Sequence, residues 1–206
     1  MKNRIITIGR QFGSGGRTIG KEVAAKLGIP CYDSELIERA SEESGLSKEY
    51  VAERGEYTAH DGWFSSVFAA GHSYHGMSNQ DYLWAVQKKI ILDLAEQGPC
   101  VIVGRCADYI LRDVADCLKV FVRADMDKRA ERIVNLYGET SDAPLKRLKE
   151  KDKRRAAYYK FYTETEWGDI NNYHIVLDSG VIGIEKCVDI IADLYRNIPA
   201  DENSGQ

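Results

Sequence analysis

The chain has 206 residues, 44% of them hydrophobic and 29% charged, which suits one α/β domain with a full core and a small insertion. A net charge of −4 argues against a general nucleic-acid binder, whose balance is basic. No apolar run approaches the roughly 20 residues of a membrane span. Lys2 and Arg4 lead into a strand pattern rather than a leader's apolar stretch. The expectation is a cytoplasmic protein. Its five cysteines (Cys31, Cys100, Cys106, Cys117 and Cys187) are an odd set without metal spacing, and read as reduced core thiols.

Taken in chain order, Arg4–Gly9 is a β-branched run that predicts a first strand. Gln11-Phe12-Gly13-Ser14-Gly15-Gly16-Arg17-Thr18 follows, and a helical pattern opens at about Thr18 and runs through Val23, Ala24 and Leu27. Strand, glycine loop and helix together aim backbone N–H groups at a phosphate. Gly13, Ser14, Gly15, Gly16, Arg17 and Thr18 are therefore the candidate phosphate cradle. The usual pattern, G-x-x-x-x-G-K-[ST], adds a lysine and a Mg²⁺-binding hydroxyl. Two registers are open. In one, Gln11 replaces the first glycine, Arg17 takes the lysine place and Thr18 the hydroxyl place. In the other, Gly13-Ser14-Gly15-Gly16-Arg17-Thr18 lies over G-x-G-K-S-T and Gly16 replaces the lysine. In neither does a lysine stand where one is expected; Arg17 is the candidate cation, and Thr18 or Ser14 the candidate Mg²⁺ hydroxyl.

Further strands are expected at 30–32, 100–104, 118–122 and 174–178. The third and fourth strands are nearly continuous apolar runs, as strands covered on both faces are. Asp33 is placed to cap a helix from Ser34. Residues 79–97 carry Leu83, Val86, Ile90, Ile91 and Leu94 on one face, with Asn79 as cap and Gly98-Pro99 as stop. Helices are also expected over 126–137 (cap Asp125, stop Gly138), over a basic stretch 142–160 that starts at Asp142, and over 183–196. Residues 45–78, broken by Gly55, Gly62, Gly71 and Gly76, read as a small helical insertion. Its Trp63, Phe64, Phe68 and Tyr74 read as filler, and His60, His72 and His75 lack the carboxylate or cysteine partners of a metal site. Residues 200–206 read as a frayed polar tail.

Alternating strands and helices predict a parallel sheet covered on both faces, with ligands beyond the carboxyl ends of the strands. That edge gathers the glycine loop, Asp33, Gly104-Arg105 and Arg123. Phosphoryl transfer needs positioning and positive charge more than covalent chemistry, so arginines converging there carry the argument. Arg105 follows a strand directly, and Arg39 lies less than two turns beyond Asp33. Arg129 and Arg132 share one helix face. Between Lys146 and Arg155, seven basic residues face only Glu150 and Asp152, which reads as a lid closing over phosphates. The aromatic run Tyr158, Tyr159, Phe161, Tyr162 and Trp167 leaves a base-stacking surface as a competing reading.

Ile5–Ala24, Tyr32-Asp33-Ser34 with Arg39, Gly104-Arg105, Leu118–Arg132 and Lys149–Arg155 resemble bacterial cytidylate kinases, and more closely the cytidylate-kinase-like family whose loop reads G-R-Q-[FY]-G-S-G-G-R. The resemblance implies a three-layer P-loop kinase fold with a five-stranded parallel sheet, helices on both faces, a small helical insertion (45–78) and a basic lid (138–168) within one domain, 1–199. It implies ATP and Mg²⁺ as cofactors and CMP or dCMP as acceptor. Asp33, Ser34 and Arg39 match the acceptor string D-S-x-x-x-x-R, and Arg105 the arginine on the acceptor phosphate. Arg129, Arg132, Asp152 and Arg155 fall in the lid region. The catalytic set expected is Arg17, Arg105, Arg129, Arg132 and Arg155. Two departures are the missing lysine and Cys106, which stands where cytidylate kinases have Asp. A nucleotide-binding protein without efficient turnover, or a kinase for another small acceptor, are the alternatives.

Overall fold

The computed structural model describes residues 4–54, 78–137 and 144–198, with backbone alone at 34, 53 and 54. Five parallel strands form the centre: β1 (Arg4–Arg10), β2 (Cys31–Tyr32), β3 (Cys100–Val103), β4 (Asp116–Arg123) and β5 (Ile175–Asp178), in the order β2-β3-β1-β4-β5. Alternation along β1 builds two cores. Ile5 faces one side, packing with Leu36, Ala40, Leu83, Ile91, Leu94 and Ile102. Ile6 and Ile8 face the other, packing with Ile19, Val23, Val120, Val188 and Ile191. The first core is covered by α2 (Ser34–Ser44), α3 (Lys48–Arg54) and α4 (Asn79–Gln97). The second is covered by α1 (Gly16–Leu27) and α9 (Ile184–Asn197). This is the doubly covered sheet expected from the apolar runs, with burial on both faces of β3 and of most of β4.

Three further helices connect these layers: α5 (Ala107–Ile110), α6 (Met126–Tyr137) and α7 (Pro144–Thr163); a fourth, α8 (Ser179–Ile182), follows β5 directly. The expected strands and long helices appear within about two residues at most ends. The cap of α4 is Ser78 rather than Asn79: the Ser78 Oγ accepts from the Asp81 amide at 3.1 Å. Asp125 caps α6 as expected, accepting from the Asp127 amide at 2.9 Å. The cap Asp142 and the stop Gly138 lie outside the described residues, as do Trp63, Phe64, Phe68, Tyr74, His60, His72 and His75.

The aromatic run on α7 is used internally. Trp84 of α4 stacks on Tyr162, ring centroids 4.2 Å apart and 9° from parallel. Tyr158 and Tyr159 are buried beside Cys106, with Tyr109 and Trp167 packed around them. Phe161 alone of that set is largely exposed. The base-stacking reading therefore loses the rings it needs, because they bury more area against α4 and β3 than a surface platform leaves free. All five cysteines are unpaired. Burial pushes the Cys31 thiol up to about 11 and the Cys100 and Cys117 thiols up to about 12.

Among the described residues no helix is long and apolar enough to cross a membrane. The chain leaves β1 toward β2 and leaves β4 toward β5, so the strand order turns between these neighbours. That is where a crevice opens in such sheets, and the glycine loop lies there: the Gln11 amide donates to the Val122 carbonyl at the end of β4, 3.0 Å away.

Candidate active site

The glycine loop turns through left-handed backbone at Gly13 (φ 80°) and Gly15 (φ 82°), and Gly15 is the N-cap of α1. The helix starts at Gly16, two residues before the expected Thr18. Its first four-residue backbone bond runs from the Ile19 amide to the Gly15 carbonyl, 2.9 Å. The amides of Gly16, Arg17 and Thr18 precede it, at the positive end of the helix dipole. A Cβ on Gly15 would strike Ile184 Cδ1 and approach Arg132 Cζ to 3.2 Å. Gly15→Ala is therefore expected to cost about 2 kcal/mol, from left-handed strain and crowding together. Urea unfolding of the variant measures this.

Ser14 takes a different part from the one its place in the cradle suggests. Its hydroxyl lies 2.9 Å from the Gln11 carbonyl and 3.0 Å from that of Val122, and its amide donates to Gln11 O at 3.3 Å. Ser179 Oγ in turn donates to the Ser14 carbonyl, 2.6 Å. Ser14 is almost fully buried and spends its polar groups holding the loop on the sheet. Arg17 also departs from expectation. Its guanidinium runs away from the loop and pairs with the Asp33 carboxylate. Asp33 is the N-cap of α2 but makes no side-chain cap bond, because its carboxylate is committed to Arg17.

Three arginines from outside the loop do reach it. Arg132 on α6 donates from Nη2 to Thr18 Oγ1 at 3.0 Å. Arg129, one turn earlier and 5% exposed, donates from Nη1 to the Phe12 carbonyl (3.2 Å) and to Asp152 Oδ2 (2.6 Å). Asp152 on α7 accepts the Phe12 amide on its other oxygen, 2.7 Å. Arg155, one turn on, donates to the Arg10 carbonyl at 3.2 Å and lies over the Phe12 ring. The basic helix α7 is thus fastened to the glycine loop by Asp152 and Arg155, with Arg129 between.

On the other flank, Arg105 follows β3 and is 7% exposed, its Nη1 donating to Gln87 Oε1 at 3.2 Å. Arg105 (φ 59°) and Cys106 (φ 54°) both hold left-handed backbone, strain of the kind that clusters at working sites. Arg39 lies over the Tyr32 ring, 5.5 Å from its centroid. Ser34 opens α2, with its backbone alone described. Arg123 stands apart, more than half exposed and 3.6 Å from Asp178.

Two buried charged residues escaped the sequence reading. Arg10 ends β1, and Asp108 lies in the otherwise apolar stretch Cys106–Leu111. A lone carboxylate in an apolar run was the available signal. Both line a narrow cleft with Arg105, Arg155, Tyr158 and Trp167. Burial drives the Asp108 carboxyl above its ordinary 3.8, opposed by the hydrogen bond from Tyr159 OH to Oδ2 at 2.7 Å. A native value above the unfolded one means that the folded chain binds more protons between the two. Stability is then fullest below the unfolded value and falls as pH rises through the native one. Asp108→Asn, which keeps an oxygen for Tyr159, is expected to gain more stability at pH 7 than at pH 4, read from melting curves.

Among the described residues no three His, Cys, Asp or Glu side chains gather as a metal would require. The Thr18 hydroxyl, expected to face Mg²⁺, accepts from a guanidinium instead. This donor set does not fit a metal held by the protein itself.

The cytidylate kinase-like family matches residues 5–181 of the chain. The cytidylate kinase of Pyrobaculum calidifontis is 25% identical over 189 residues, covering 92% of this chain and 91% of that protein. A crystal structure of an uncharacterized protein from Eubacterium ventriosum superposes with TM-score 0.71 at 27% identity, over 95% of this chain and 99% of that one. A shikimate kinase from Bacteroides thetaiotaomicron superposes with TM-score 0.54 at 17% identity, over 95% and 99%, a likeness in fold. With the glycine loop at the turn of a five-stranded parallel sheet and its ring of guanidinium groups, these matches place the chain in the cytidylate kinase-like family, as a nucleoside monophosphate kinase-like phosphotransferase on the P-loop kinase fold.

Proposed function

We propose that the chain transfers the terminal phosphoryl group of ATP to a nucleoside monophosphate, with CMP or dCMP as the acceptor. The observation that carries this reading is the convergence of Arg129, Arg132 and Arg155 on the loop that opens α1, with Arg105 on its flank. The open amides from Gly15 to Thr18 hold the donor phosphates, and α7 acts as the lid. Arg105 and Arg39 orient the acceptor phosphate, with Asp33 and Ser34 beside its nucleoside. An acceptor phosphate oxygen attacks the γ-phosphorus in line. The new O–P bond forms as the bond to the β–γ bridging oxygen breaks, and ADP leaves with that electron pair. The arginines neutralise charge on the equatorial oxygens. Mg²⁺, the usual companion of ATP in this chemistry, would arrive on the nucleotide's phosphates.

A coupled ADP-release assay over the common nucleoside monophosphates, with and without Mg²⁺, tests the reading. Turnover highest with CMP or dCMP supports it. Turnover with another acceptor alone moves the substrate. Tight ATP binding without ADP release from any acceptor overturns the kinase assignment in favour of a nucleotide-binding protein. The absence of a loop lysine and the Arg17–Asp33 pair keep that second reading in view.

A further inference from the structure

The two oddest residues of the glycine loop touch each other. If Gly15 is the last glycine of G-x-x-x-x-G-K-[ST], the first glycine falls on Arg10 and the lysine on Gly16. A Cβ built on Gly16 would stand 2.5 Å from Arg10 Cβ and 2.9 Å from Arg10 Cγ. Arg10 Cβ is tied to the last residue of β1, paired with Val122 of β4, and cannot withdraw. The stem of Arg10 therefore occupies the ground that any side chain at position 16 would need. A cation has replaced a glycine, and a glycine has replaced a cation, at two positions in direct contact.

We propose that Arg10 supplies the positive charge that a loop lysine supplies in the usual pattern, and that Gly16 is bare to admit it. This rests on the phosphoryl-transfer reading above. Arg10 is 9% exposed at the carboxyl edge of the sheet, directly before the cradle, and lines the cleft with Arg105 and Arg155. An arginine stays charged at any working pH, and its planar fork spans two oxygens where a lysine offers one point. Arg17, the alternative inside the loop, is committed to Asp33. In transfer, Arg10 is then the cation nearest the strand end, stabilising charge that builds on the leaving β–γ bridge and the γ-oxygens. The charge reaches the phosphates from the sheet rather than from the helix.

The test uses the full chain with substitutions Arg10→Met, Arg10→Lys, Arg10→Gly, and Arg10→Gly joined to Gly16→Lys. Two quantities are read: turnover by ADP release, and affinity for inorganic tripolyphosphate by calorimetry. Arg10→Met is expected to lose about a hundredfold in turnover and roughly tenfold in tripolyphosphate affinity, with Arg10→Lys clearly above it in both. Gly16→Lys is expected to recover about tenfold or more over Arg10→Gly alone, by returning the charge to the helix side. Tripolyphosphate affinity within about twofold of the parent chain in Arg10→Met overturns the proposal. Where Arg10→Met gives no cooperative melt, the joined variant decides: no recovery over Arg10→Gly overturns it. If the parent chain binds tripolyphosphate but turns over no acceptor, the kinase reading fails, and the affinity series still decides the role of Arg10.

Discussion

Arg105→Ala is expected to lower turnover about a thousandfold, with a much smaller change in melting temperature. An arginine set on transferring phosphates contributes on that order in phosphoryl-transfer chemistry. The backbone at Arg105 is left-handed and the side chain is buried against Gln87, so the guanidinium is held in place before any substrate arrives. Pre-set charge of this kind loses little to reorganisation during the reaction. Alanine carries the same left-handed strain, so the folded state changes chiefly by one lost hydrogen bond. Steady-state ADP release measures the effect, and turnover within tenfold of the parent chain would remove Arg105 from the reacting centre. Arg105→Lys is expected to recover only part, because a point charge does not reproduce a two-pronged grip.

Asp152→Ala is expected to be the most destabilising single change at the loop, by about 3 kcal/mol in urea unfolding. One carboxylate satisfies the Phe12 amide and the Arg129 guanidinium together. Removing it leaves a buried cation and a loop donor without their acceptor, and the cost of an uncompensated buried charge exceeds that of a lost surface contact. Asp152→Asn keeps an oxygen for the Phe12 amide, and its loss is expected to fall between the parent and alanine. Equal stability of all three chains would show that the loop does not depend on α7 for its shape.

The sheet and the long helices were legible because burial writes itself into residue order. The apolar runs at Cys100–Val103 and Leu118–Val122 announce strands covered on both faces, and the face Leu83, Ile90, Ile91 and Leu94 announces α4. The helices α5 and α8 passed unseen, since four residues are too few to show a period of 3.6. The choice of Ser78 over Asn79 as cap lies between two neighbouring capping residues that local pattern cannot separate. At the site, residue types and their approach to one edge were readable; partners were not. Asp33 exchanges an expected cap for Arg17, and Thr18 meets Arg132 from 114 positions away. These pairings are decided by packing between layers, which no local spacing encodes. Arg10 was hidden for the same reason: its contact with Gly16 exists only once β1 and α1 are folded against each other.

The chain's own thiols bear on how its motions can be watched. Cys31, Cys100 and Cys117 are held at about 11 to 12, Cys187 is shifted in the same direction, and Cys106 is buried. At neutral pH such groups offer almost no thiolate to a maleimide. A single cysteine introduced at the exposed position Lys149 on α7 would react ahead of the native five. One fluorophore attached there, without removing any natural cysteine, would report on nucleotide-driven movement of that helix.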